Sequence, residues 1–210
     1  AKYAVAVSNG TAALHLACMV LGFKEHDEVI TTPNTFVATS NSILYMNAKP
    51  VFVDIDAQTL NIDIDKIEET IKNSKNIKAI FPVHFAGLPC DMEKIKQLAD
   101  KYDLAIVEDA SHALGGEYLN KKIGCCDYSE MTVFSFHPVK MITTGEGGAA
   151  VTNNRELHNK MRLLRSHGIT RDHELMTQDP DGPWYYQQIE LGYNYRMTDI
   201  QAALGISQMK

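Results

Sequence analysis

Short β-prone runs alternate with helix-forming segments along most of this sequence, and that rhythm limits the folds open to it. YAVAV (residues 3–7) reads as a strand, followed by SNGT and an apolar helix predicted from Ala12 to Leu21. EVITT, PVFVDI, IKAIFPV, LAIVED, MTVFSF and GAAVT continue the strand series. Between them, helices are predicted after PNTF, around IDKIEETIK, over DMEKIKQLADKYD, and over NRELHNKMRLLRSHG up to Gly168. Strands that alternate with helices imply right-handed crossovers. The expected fold class is therefore α/β, a three-layer α/β/α arrangement whose mostly parallel sheet is covered on both faces. The helix from Ala12 is apolar on most faces, which predicts burial. Residues 169–190, ITRDHELMTQDPDGPWYYQQIE, break the rhythm with Asp, Pro, Gly and aromatics and read as a long, functional loop.

The balance of charge narrows the partners. A formal net charge of −6 over 210 residues, without a Lys/Arg cluster, argues against a nucleic-acid ligand, which is bound mainly through phosphate contacts. No run approaches the roughly 18 apolar residues of a membrane span, and AKYAVAVSNG lacks the pattern of a secretion signal. Cys18, Cys90, Cys125 and Cys126 follow no metal-ligand or disulfide spacing, so a reducing, cytoplasmic setting is expected. The sequence opens directly on a strand and closes on TDIQAALGISQMK, a helix with no stop signal. Residues 1–210 are accordingly expected to be a fragment of a longer protein.

In a parallel α/β sheet, ligands bind beyond the carboxyl ends of the strands, so the residues at those ends carry the functional reading. After YAVAV, the run SNGT offers N-cap side chains, a glycine for close approach and free amides at a helix start, a natural phosphate cradle. Asp109 follows LAIVE, with His112 close behind. Ser135 ends MTVFS, and five positions later Lys140 precedes the glycines of TTGEGGA. Phe36 in PNTF could lay an aromatic face on a planar ring. Each has an ordinary explanation when taken alone: N-capping for SNGT, a turn cap for Asp109, core packing for Phe36 and for His112, a solvated loop for Lys140. Together they supply what pyridoxal phosphate needs, namely phosphate donors, a stacking aromatic, a carboxylate for the ring nitrogen and an amine for the aldehyde.

The runs SNGTAAL, PNTFVATSNSI, FPVHFAG, VEDASHALG, FSFHPVKMITTGEGGA and LGYNYRMTDIQAALG, in this order, resemble the DegT/StrS-type sugar-nucleotide aminotransferases of the aspartate-aminotransferase fold. The resemblance implies that residues 1–210 are the large cofactor-binding domain, without the family's N-terminal segment and C-terminal small domain. It implies Lys140 as the catalytic residue joined to pyridoxal 5′-phosphate and Asp109 as partner of the ring nitrogen. Phe36 would stack on the ring, with His112 beside it where many relatives carry glutamine. Gly10, Thr11 and Ser135 would hold the phosphate, together with Asn194 from a neighbouring subunit, which implies a homodimer. The implied reaction moves an amino group from glutamate to a sugar nucleotide, in the branch acting on UDP-linked 4-keto-6-deoxy-N-acetylhexosamines. A lyase or desulfurase on the same fold and a non-catalytic binding module are the competing readings; the intact Lys140 and Asp109 speak against the module.

Overall fold

The computed structural model describes residues 1–210. Its element order is β1 (Tyr3–Val7), α1 (Gly10–Leu21), β2 (Glu28–Thr31), α2 (Val37–Leu44), β3 (Lys49–Phe52), α3 (Ile64–Asn73), β4 (Ile77–Ile80), α4 (Met92–Tyr102) and β5 (Ala105–Asp109). A small hairpin follows, β6 (Glu117–Tyr118) and β7 (Lys121–Lys122). Then come β8 (Met131–Ser135), β9 (Gly148–Thr152), α5 (Arg155–Leu164), β10 (Ile169–Thr170), β11 (Gln187–Gln188) and α6 (Asp199–Gln208).

Seven strands form one sheet in the order β1-β9-β8-β5-β4-β2-β3. Pairing is parallel from β3 across to β8, whereas β9 runs antiparallel to both β8 and β1. The reason lies in the connection: β8 returns to β9 through residues 136–147, which contain no helix, and a parallel return would need a crossover.

Both faces of the sheet are covered. On one face, α1 presents Leu14, Leu16 and Val20 to a core that also takes Ile43 of α2 and Met161 and Leu164 of α5. On the other, Ile67 and Ile71 of α3 and Ile95 and Ala99 of α4 pack on Ile30, Ile80 and Ile106. The helix polarity matches these roles. α1 is buried on most of its surface, while α3 and α4 are amphipathic, begin at aspartate caps and show apolar residues only on the sheet side.

Two boundaries differ from the sequence reading. α1 starts at Gly10 rather than Ala12, because Asn9 caps it by accepting the Ala12 amide at 2.8 Å. α5 stops at Leu164 rather than running to Gly168. The returning segment takes up its last carbonyls, Tyr193 N–H donating to Leu164 O at 2.7 Å and Tyr195 N–H to Arg165 O at 3.0 Å. Residues 169–190 are an excursion as expected, closed near its base where β10 pairs with β11. All four cysteines carry free thiols. No helix is long and apolar enough to cross a membrane.

Candidate active site

A cavity of about 210 Å³ opens at the carboxyl ends of β1, β5 and β8, lined by Gly10, Thr11, Phe36, Asp109, His112, Ser135 and Lys140 among others. Seven of the eight residues singled out from the sequence therefore meet in one place. Asn194 is the exception: it is exposed, pairs with Ser166 across an isolated bridge, and does not line this cavity.

One end of the cavity is built by the turn between β1 and α1. With Asn9 capping the helix, the first-turn amides of α1 are left for an anion. Ser135, at the tip of β8, stands against this turn. A Cβ on Gly10 would come to 3.0 Å from Ser135 Cβ and 3.3 Å from its Oγ, so a glycine keeps the cradle open. On the antiparallel β9, a Cβ on Gly148 would lie 2.6 Å from the Asn9 carbonyl carbon and 2.7 Å from the Gly10 nitrogen. The strand can seat the turn this closely only because residue 148 has no side chain.

The opposite end is acidic. Asp109 ends β5 and is 4% exposed. Its backbone is clamped by β4's extension, Asp109 N–H donating to Pro82 O at 2.9 Å and His84 N–H to Asp109 O at 3.1 Å. Thr39 Oγ1 donates to Asp109 Oδ2 at 2.6 Å, and the Ser111 amide donates to Oδ1 at 3.1 Å. The aspartate thus caps the following turn and also borders the cavity. Both hydrogen bonds come from neutral groups, and no salt bridge reaches this carboxylate.

Lys140 sits in a turn after β8, its amide donating to His137 O at 2.9 Å. The loop that carries it is pinned by Phe136 N–H donating to Gly147 O at 2.8 Å and Thr144 N–H to Phe136 O at 3.0 Å. Burial pulls the Lys140 ammonium below the ordinary lysine range, and the Asp109 carboxylate draws it partly back. That direction raises the share of free amine, the form that condenses with an aldehyde. Burial, and then the charge of Lys140, lower the His112 imidazole, with Asp109 opposing. Ala86 N–H donates to His112 Nδ1 at 3.4 Å. Phe36 is the N-cap residue of α2, 74% exposed, with its ring at the cavity wall.

These residues fit pyridoxal phosphate: an anion cradle at one end, a buried carboxylate lacking a cationic partner at the other, a depressed lysine amine between them and an open aromatic face. The sequence reading missed Thr39, the donor to Asp109, as well as His137 and Glu146 at the rim. Thr39 lies one helical turn beyond Phe36 in PNTFVATS, and that spacing was the only available signal.

The model of the DegT/DnrJ/EryC1/StrS aminotransferase family matches residues 1–210. The chain belongs to that family. It is 49% identical over 210 residues to a UDP-4-amino-4,6-dideoxy-N-acetyl-beta-L-altrosamine transaminase of Campylobacter jejuni, covering 100% of this chain and 52% of the relative. The solved structure of Helicobacter pylori PseC, an aminotransferase involved in the biosynthesis of pseudoaminic acid, superposes with a TM-score of 0.88 at 40% identity, over 99% of this chain and 53% of that one. NtdA from Bacillus subtilis with bound cofactor PMP gives a TM-score of 0.83 at 35% identity, over 99% of this chain and 44% of that one. The chain spans about half the length of the curated relatives it matches.

Proposed function

We propose that residues 1–210 form the large cofactor-binding domain of a pyridoxal-phosphate-dependent aminotransferase that works in the cytoplasm. It moves an amino group from glutamate to a 4-keto sugar nucleotide, a UDP-linked 4-keto-6-deoxy-N-acetylhexosamine of the pseudaminic-acid type. The observation that carries the reading is the convergence of Lys140, Asp109 and the Gly10–Thr11/Ser135 cradle on one cavity. The similarity to the altrosamine transaminase and to PseC supports the choice of sugar.

The α1 amides of Gly10 and Thr11 and the Ser135 hydroxyl would hold the phosphate, Phe36 would lie against the ring, and Asp109 would be the partner of the ring nitrogen. Bound there, pyridoxal phosphate supplies an aldehyde for amines and a cationic ring that accepts an electron pair from a neighbouring carbon. Lys140 Nζ would provide the amine that joins the cofactor and, when free, would take up and return a proton. Thr39 and Ser111 hold the two carboxylate oxygens of Asp109 in place by donating to them. Asn194 does not line this chain's own cavity, which supports a homodimer in which it serves the partner's site.

The test uses full-length protein with pyridoxal phosphate, reduced by borohydride and mapped by peptide mass. The expected adduct is on Lys140, with glutamate-dependent formation of 2-oxoglutarate when a 4-keto sugar nucleotide is supplied. An adduct on another lysine, or none, would overturn the assignment.

A further inference from the structure

Thr39 stands in the first turn of α2, where its hydroxyl could bond back to the carbonyl of Thr35 or Phe36. Here it leaves the helix and reaches Asp109 Oδ2 at 2.6 Å, across 70 residues of sequence, with both residues buried. A hydroxyl carries one hydrogen. Since that of Thr39 goes to the carboxylate, the 2.9 Å contact between Thr39 Oγ1 and Thr35 Oγ1 must be donated by Thr35. Thr35 has a longer option at 3.3 Å to the Phe36 carbonyl, so its better bond is the one to Thr39. The hydroxyls therefore form a directed chain, Thr35 to Thr39 to Asp109. Phe36, whose ring lines the same cavity, lies between the two threonines in sequence.

We propose that Thr39 is a positioning residue for Asp109, holding its carboxylate oriented toward a protonated ring nitrogen in the cavity. This rests on the function proposed above. The physical reason is that a hydrogen bond to the charged form of an acid favours that form. Without it, the proton shared between ring nitrogen and carboxylate shifts toward the oxygen, and the ring loses the positive charge that makes it an electron acceptor. Ser111 N–H, at the longer distance of 3.1 Å and on the other oxygen, secures the turn but not Oδ2.

The experiment compares full-length wild type, Thr39→Val and Thr39→Ser, each loaded with pyridoxal phosphate labelled with ¹⁵N in the ring. Val removes the hydroxyl at nearly constant shape, and Ser restores it. In the wild type the ring ¹⁵N resonance is expected at the protonated position. In Thr39→Val it is expected to move toward the unprotonated position, with cofactor affinity falling about tenfold, the size expected for losing a hydrogen bond to a charged group. Thr39→Ser is expected to return both readouts to wild-type values. An unmoved resonance in Thr39→Val would overturn the proposal and leave the cofactor assignment standing, as would a shift that Thr39→Ser failed to reverse. Wild-type protein that bound no labelled cofactor would overturn the functional assignment instead, and the role of Thr39 would fall with it.

Discussion

His84 Nε2 lies 2.8 Å from Glu108 Oε2, and both side chains are buried. The Cys90 amide donates to His84 Nδ1 at 3.1 Å, so that nitrogen carries no hydrogen and the ring donates through Nε2. Ser129 and Thr132 donate to the other carboxylate oxygen at 2.5 and 2.9 Å. Glu108 directly precedes Asp109, and His84 N–H donates to Asp109 O, so the pair anchors the backbone that presents Asp109 to the cavity. Replacing His84 with Leu leaves Glu108 short of a donor in the interior. The expected loss is about 1–3 kcal/mol, measured by urea denaturation, the cost of leaving a buried polar group one hydrogen bond short.

The same pair sets a pH dependence. Burial pushes the Glu108 carboxyl up, but the hydrogen bonds from His84, Ser129 and Thr132 outweigh it and hold the group below the ordinary glutamate value of 4.5. An acid depressed in the folded state adds stability that is present above its unfolded pKa and is lost as pH falls through its folded pKa. Glu108→Gln is therefore expected to flatten the part of the acid-denaturation curve below pH 4.5, while leaving the slope near neutrality as it is. An unchanged slope below pH 4.5 would count against the ionised Glu108.

Gly148 bears on the phosphate end. In Gly148→Ala the new methyl group meets the backbone of Asn9 and Gly10, not a movable side-chain tip, so the turn must shift. A stability loss of about 1–3 kcal/mol is expected from the overpacking. Displacing the α1 amides should also weaken pyridoxal phosphate more than it weakens a phosphate-free analogue such as pyridoxal. Equal losses for the two ligands would show that the turn does not form the anion cradle.

How much of this was legible beforehand depends on where each residue's partners lie in the chain. Lys140, Asp109, Ser135 and Gly10 stand at the ends of strands that apolar runs reveal, and the parallel sheet brings those ends together. Thr39 reads in PNTFVATS as an unremarkable helical threonine, because its acceptor is 70 residues away. The His84–Glu108 pair is hidden likewise, by a separation of 24 residues and by burial that no local pattern marks. The direction of β9 could be inferred only from the missing helix between Ser135 and Gly148.

Lys140 should stand apart from the other lysines even without cofactor. Its ammonium is lowered by burial and partly held up by Asp109. Trace acetylation of the apoprotein with pH is expected to give Lys140 a lower titration midpoint than surface lysines such as Lys101, which its pairing with Glu68 raises. Because the Asp109 charge favours the ammonium, Asp109→Asn should lower the Lys140 midpoint further. A midpoint that rose, or stayed fixed, would place the two groups out of electrostatic reach.

Asn194 supplies a test of assembly. It is exposed and does not line its own cavity, so in the proposed homodimer it acts on the partner's phosphate. Full-length Lys140→Ala should be inactive, and Asn194→Ala should bind cofactor weakly. In a mixed dimer of the two variants, one site combines both lesions and the other has an intact lysine and an intact asparagine. After subunit exchange at equal concentrations, half of the dimers are mixed. Roughly a quarter of wild-type activity should therefore return, as two-fold symmetry requires. If mixing restored nothing although exchange was confirmed by mass, Asn194 would not cross the interface, and each site would be complete within one chain.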